Sequence, residues 1–395
     1  MSLFFGRRES RAVYAGNWWK DTWVDGSKTK SGAVVNPDKA LRVGAMWSSA
    51  HLLASIVSHL PVDVFRGTGE DKRAVLPAPR LVDGPSLVVE REDWVYQGML
   101  SLLLWGNAFG LTLERDANGR PLVVEWLDPS TVTADQKSSL RPPLYSIKGQ
   151  VVEHQEDVVH LRAFTKPGFA VGMSPVAYHA ETLGVALAAR DYGSSWFGEG
   201  AHPSAVFANK SRQLIPDDES EAIKERFLAK LRGKREPLVV GSDWTYTPIQ
   251  VSAAEAQFVE SMGYSDAEIA RMYGPGLAEV LGYSADTGGS VTYTNRVDRS
   301  LDLLTYTVDP WVRKFERFWT SNLARPQTAR MNVNALLRSD HKTRNEIYLI
   351  QRQIGLRNVD ELRGLEDLPP LPNGEGKDYT PLKAGNSGGN QNAGN

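Results

Sequence analysis

From Ser174 to Leu323 the spacing of apolar positions predicts helix, compact insert, helix, glycine-rich loop and a long final helix. The last of these carries Val297, Leu301, Leu304, Val308, Trp311, Phe315 and Phe318, steps of four and three that draw one stripe along a helix. Pro310 lies within the stripe, where it removes a backbone donor and crowds the preceding turn, so a bend is expected there. Before this helix, Gly274 to Thr294 is rich in Gly, Ser and Thr and holds no Lys or Arg. The helix from Ser174 to about Phe197 is apolar on two faces, Val176, Ala180, Leu183 and Leu187 on one and Val185, Ala188, Tyr192 and Trp196 on the other. That pattern suits a helix buried between neighbours.

The first 170 residues read as a mixed α+β domain. Met1 to Val35 reads as an irregular arm containing Trp18, Trp19 and Trp23, either loosely ordered or docked through these aromatics on a neighbouring subunit. Asn36-Pro37 opens a helix whose apolar positions run from Leu41 to Leu60, and Pro61 ends it before a strand at Val62 to Phe65. A second helix runs from about Arg91 to Leu104 and stops at Gly106-Asn107. Phe109 to Glu114 and Leu122 to Leu127 form a hairpin around Asp116-Ala-Asn-Gly119, and Asp157 to Leu161 is a further strand.

The insert, Ala201 to Gln250, reads as a small αβ unit with strands at Ala205 to Ala208, Pro237 to Val240 and Thr245 to Ile249. Its helix opens on Asp217, Asp218 and Glu219 and closes on Lys230 and Arg232, as the helix dipole favours. At this size its core is weak without partners. Arg338 to Gly364 is a charged helical region, and the Gly, Asn and Pro content of Leu371 to Asn395 predicts disorder.

Composition narrows the function. A net charge of −2 over 395 residues lacks the basic surplus of a tight nucleic-acid binder. The absence of cysteine excludes disulfides, thiolate metal sites and cysteine nucleophiles. No stretch approaches the roughly 20 apolar residues of a membrane helix. Catalytic motifs are also missing. Gly26 to Gly32 lacks the Gly-Lys-Ser/Thr ending of a phosphate loop, and Gly172-Met-Ser-Pro-Val lacks the second Gly of a nucleophile elbow. His179 and Glu181 are two apart on a helix and cannot share a metal. His154 and His160, with Glu153, Glu156 and Asp157, form the best acid–base cluster, a set more often structural than catalytic. Lys224, Arg226, Lys230, Arg232, Lys234 and Arg235 give the insert a basic face, either a solvated helix surface or a contact to an acidic partner or DNA. No catalytic, cofactor or metal residue is assigned, and no enzyme is expected.

Several segments, in order, resemble the tailed-phage portal proteins of the HK97-like type. They are Trp47 to Phe65 with Leu60-Pro61 before the strand; Leu104-Trp-Gly-Asn-Ala-Phe109 with Glu114-Arg-Asp-Ala-Asn-Gly119; Asp157-Val-Val-His160-Leu; Gly172-Met-Ser-Pro175; and Ala267-Glu-Ile-Ala-Arg271. The resemblance spans about Pro37 to Pro370. The chain departs from it at Gly274-Pro-Gly-Leu-Ala-Glu-Val-Leu-Gly282, where such portals often have Val-Pro-Pro before Leu-Leu-Gly.

The resemblance implies a portal-type α+β fold with an α+β wing, helical stem, small αβ clip, long kinked helix and helical crown. Mapped onto this chain, the wing is 1–173, the stem helices 174–200 and 251–273, and the clip 201–250. The tunnel loop is 274–292, the kinked helix 293–323, the C-terminal wing and crown 324–370, and the tail 371–395. It further implies a homo-oligomeric, usually dodecameric, ring at one capsid vertex of the virion, assembled in the host cytoplasm. The ring would pass double-stranded DNA during packaging and ejection, and meet terminase, major capsid protein, any scaffold and a head–tail adaptor, with no cofactor and no membrane. Gly274, Pro275, Gly276, Glu279, Gly282, Asp286, Gly288 and Gly289 would form the channel loop, with Pro310 as the helix kink. A loop bearing Glu279 and Asp286, with no cation between Arg271 and Arg296, suits DNA sliding over it, and its glycines suit a moving backbone. Two other readings are a sequence-tolerant nucleic-acid-binding module using the insert's basic helix, and a monomeric hydrolase.

Overall fold

The computed structural model describes residues 27–67, 72–137, 140–198, 205–209, 216, 221–222, 225, 244–248, 266–283, 302–333, 341–366 and 368–381. Contacts divide the chain into two compact units, one within residues 1–59 and 63–330, the other within 60–62 and 331–395.

The larger unit opens with a short antiparallel pair, β1 (Ser27–Lys28) and β2 (Val34–Val35). Asn36 then caps α1 (Pro37–Ala40), accepting from the Lys39 amide at 2.8 Å. Residues 41–43 form a turn before α2 (Gly44–Ser58), so the single helix expected from Asn36 to Leu60 is two. α2 buries Met46, Ala50, Leu53, Ala54 and Val57. After β3 (Val62–Arg66), β4 (Arg73–Ala74) and the short α3 (Arg80–Asp83) comes α4 (Arg91–Trp105), which packs along α2.

α4 ends where the sequence places its stop: Gly106 is left-handed, φ 70°, and its amide caps Leu102. β5 (Asn107–Arg115) and β6 (Pro121–Leu127) make the expected hairpin, Phe109 opposite Leu127, with register shifts near Glu114. β10 (Val158–Arg162) pairs with the other side of β5 in the order β10-β5-β6. Between them the chain forms a meander that the sequence reading lacks: β7 (Val132–Asp135), β8 (Leu144–Ile147) and β9 (Gln150–Val151). Its Val132, Ala134 and Tyr145 pack on Phe109 and Val171.

Ser174 caps α5 (Pro175–Tyr178), and His179 breaks it from α6 (Ala180–Gly198), so the expected helix from Ser174 is interrupted near its start. α6 buries Leu183, Leu187 and Ala189. Of the insert, β11 (Ala205–Asn209) and β12 (Trp244–Pro248) are described and pair antiparallel, close to two of the three predicted strands. The predicted strand at Pro237 to Val240 and the basic residues Lys224, Arg226, Lys230, Arg232, Lys234 and Arg235 lie outside the described residues.

A helical stretch at 266–271 precedes α7 (Leu277–Val280). From Leu303 to Val308 the backbone is π-helical and runs directly into α8 (Asp309–Asn322). Trp311, Phe315 and Phe318 of the predicted stripe are buried, as is Val308. Upstream the phase slips: Leu303 and Thr307 are buried and Leu304 is half-buried, because a π turn holds more than 3.6 residues. β13 (Gln327–Met331) then lies beside β3, which pairs with β4.

The centre of this unit is aromatic. Trp94 of α4 stacks on Trp126 with ring centroids 4.5 Å apart and meets Phe315, Phe318 and Trp319 of α8. Both indoles are tied: Trp94 Nε1 donates to the Val124 carbonyl at 2.6 Å and Trp126 Nε1 to the Trp94 carbonyl at 2.8 Å.

In the smaller unit, α9 (His341–Gln353) is followed by α10 (Val359–Gly364), which begins with a reciprocal Asn358–Glu361 capping box. Part of the tail expected to be disordered is ordered. Residues 372–377 form a 3₁₀ turn, Tyr379 donates its hydroxyl to Glu361 at 2.5 Å, and Arg352 donates to the Thr380 carbonyl at 2.6 Å. These contacts hold a polar segment whose composition alone would leave it free. Among the described residues, no helix is long and apolar enough to cross a membrane.

Candidate functional site

The region expected to form the channel loop is described from Gly274 to Tyr283; Asp286, Gly288 and Gly289 lie outside the described residues. It starts from a firm anchor. Ala267, Ile269 and Ala270 are buried, and Tyr273 follows them on the same face. The Tyr273 hydroxyl donates to the Leu103 carbonyl of α4 at 2.8 Å, and full burial pushes its pKa well above 10. The phenol therefore stays protonated and remains a donor.

The chain then turns through Gly274, with φ 139°. A Cβ there would fall 2.4 Å from Thr307 Oγ1, so the glycine is required by packing as well as by conformation. Thr307, buried in the π-helical run, donates its hydroxyl to the Pro275 carbonyl at 2.7 Å. Gly276 caps α7, whose Leu277 and Ala278 are fully buried. α7 closes with paired bonds from Tyr283 N–H to the Ala278 carbonyl, 2.8 Å, and from Gly282 N–H to the Glu279 carbonyl, 3.2 Å. With Gly282 at φ 80°, this is a Schellman stop.

The start of the expected loop is thus a packed helical turn. Gly274 and Gly282 serve close approach and helix termination here, a different use from the backbone freedom read into them from composition. Pro275, Gly276, Glu279, Asp302 and Tyr306 surround a groove of about 510 Å³. Two of these five residues are acidic and none is basic, and Glu279 Oε2 is buried with no partner among the described residues. Pro310 sits at the second position of α8, immediately after the π-helical run. The sequence reading missed Tyr273 and Thr307. Tyr273 carried a signal, an aromatic three residues after Ala270 on the same helical face, whereas Thr307 lies off the apolar stripe and carried none.

The acid–base cluster resolves into separate roles. His154 is exposed and 3.5 Å from Glu156, while Asp157 pairs with Arg115 at 2.6 Å. His160 is stacked on Phe109, centroids 4.3 Å apart. Its Nε2 lies 2.8 Å from Asn107 Oδ1, and its Nδ1 lies 3.0 Å from the Tyr145 hydroxyl and 3.2 Å from Arg162 Nε. Arg162 can only donate, so Nδ1 accepts and Nε2 carries the proton. Burial, with the Arg162 charge second, holds the imidazole pKa well below 6.5. Both nitrogens are engaged, which leaves none to take a substrate proton. Among the described residues, no three His, Asp or Glu side chains gather as a metal site.

The phage portal protein family model matches residues 45–367. The chain belongs to that family, structural proteins of the tailed-phage capsid. It is 27% identical to a probable portal protein of Streptomyces phage phiC31, over 92% of this chain and 83% of that one. To the portal protein of Enterobacteria phage HK97 it is 25% identical, over 86% of this chain and 82% of that one. Its fold is similar to the crystal structure of an HK97-family phage portal protein from Corynebacterium diphtheriae, with TM-score 0.55, 15% identity, and 76% and 96% of the two chains covered. It is also similar to a chain in the neck of a native gene transfer agent particle computed with C12 symmetry, with TM-score 0.55, 18% identity, and 93% and 96% covered.

Proposed function

We propose that this chain assembles into a ring at one capsid vertex and forms the channel through which double-stranded DNA is packaged and ejected. The portal family match across 45–367 carries the reading. The neck computed with C12 symmetry, to which the fold is similar, supports a twelve-membered ring. In this ring 1–173 is the wing, 174–200 and 251–273 the stem, and 201–250 the clip, with 324–370 completing the wing and crown. Terminase and then the head–tail adaptor dock on it.

Residues 274–292 face the channel. The observation that supports this is electrostatic: the described part offers Glu279 and no cation, and the whole stretch has no Lys or Arg. DNA gains no phosphate contact from such a lining, so nothing need be broken as it moves. The tie from Thr307 to Pro275 sets the base of the segment against the π-helical run, which makes 303–322 its support. Native mass spectrometry of the purified chain tests the ring. The expected species holds about a dozen 43.6 kDa subunits, and a species that stays monomeric when mixed with its capsid protein contradicts it.

A further inference from the structure

A groove with no part in the channel reading lies between β10 and α8. Glu156 and Val158 to Arg162 form one wall and Arg313, Lys314, Arg317 and Asn322 the other, around about 700 Å³; Glu156, the one carboxylate of the lining, lies 3.5 Å from His154. That volume is in the range of sites that hold a ligand. β10 is the outer strand of its sheet, and its far side has no strand beside it among the described residues. The Ala163 amide donates to the Gly106 carbonyl, so Ala163 turns its backbone toward β5. Alternation along an antiparallel strand then turns the backbone groups of Arg162 and His160 outward. Lys314 confirms the direction, donating Nζ to the Arg162 carbonyl at 2.8 Å. The His160 amide and carbonyl and the Arg162 amide therefore point into the groove.

Its helical wall is positive and short of anions. Arg313 is matched by Asp309 at 2.6 Å. Lys314 is bonded to a neutral carbonyl, and Arg317 is exposed with no ion pair among the described residues. Burial, with the Arg317 charge second, lowers the Lys314 pKa, the response of a cation that lacks a carboxylate.

We propose that this groove binds an acidic, extended segment of a partner protein, added to β10 as a fourth strand, with its carboxylates on Arg317 and Lys314. Strand addition supplies the main-chain bonds and the cations supply the preference for acidic side chains. A peptide fits better than DNA because the edge presents the His160 amide and carbonyl and the Arg162 amide at strand spacing, which a peptide main chain matches with alternating donors and acceptors, whereas the DNA backbone offers acceptors alone.

The test uses the full chain and a panel of labelled eight-residue peptides with Glu at alternate positions and Val or Thr between. Anisotropy reads binding, and amide hydrogen exchange reads residues 158–162. The expected result is salt-sensitive binding that slows exchange at His160 and Arg162. Binding should weaken about ten-fold or more in Arg317→Glu and vanish when alternate peptide amides are N-methylated. The proposal is overturned if no acidic peptide binds better than its Gln counterpart, or if Arg317→Glu or N-methylation leaves binding unchanged. Two other results also overturn it: duplex DNA protecting the same amides in place of peptide, or Arg317→Glu changing the native mass without peptide, which would make the occupant a second copy.

Discussion

Asn107 uses its whole side-chain amide. Oδ1 accepts from the Gly172 amide at 2.7 Å and from His160 at 2.8 Å, and Nδ2 donates to the carbonyls of Trp105 and Gly172. Beside it Gly106 leaves no room, since a Cβ would come 2.0 Å from the Met173 carbonyl oxygen. Gly106→Ala should therefore cost about 3 kcal/mol or more, combining strain at positive φ with a backbone collision. A urea midpoint within error of the parent chain would refute that. His160 adds a pH dependence. Its folded pKa lies well below the unfolded 6.5, so its stability is complete above pH 6.5 and is lost as pH falls from 6.5 toward the folded value. His160→Gln should lower the urea midpoint at pH 7 but flatten its decline between about pH 6.5 and 5; an equally steep decline would place the titrating group elsewhere. Gly106-Asn107 was legible as a helix stop, because that is a local backbone property. The network from Asn107 to His160 and Gly172 was not, because it joins residues 53 and 65 positions apart.

The elements that matter are the packed turn from Gly274 to Tyr283 and the helix against it. Thr307→Val keeps the shape but removes the bond to the Pro275 carbonyl, at a cost of about 1–2 kcal/mol in a buried place. Amide exchange across 274–283 should then speed up about 5- to 30-fold while α4 stays protected; uniform acceleration would mean that the whole unit was destabilised. Pro310→Ala restores a backbone donor just after the π-helical run. The expected outcome is a retained fold, a straighter helix and DNA packaging impaired more than ring assembly; normal packaging would separate the proline from channel function. The apolar stripe from Val308 to Phe318 was readable because those residues obey one period. Leu303 and Thr307 were not, because a π turn shifts the phase and nothing in residue type announces it. The meander at 132–151 escaped for a related reason: its strands are two to four residues long and laced with polar positions.

For the whole molecule, resemblance carried further than composition. Charge and missing motifs argued against tight nucleic-acid binding and against catalysis, but many folds share that profile. The ordered segments from Trp47 to Arg271 named a family, and the family model covers them. A cryo-electron microscopy reconstruction of the purified oligomer tests most directly whether the chain forms a ring with 274–292 lining its channel. The predicted map is a closed ring of about a dozen subunits, with the segment after Gly274 facing the central hole and Glu279 at or near its surface. A ring that buries this segment between subunits, or turns it to the outside, would contradict the account.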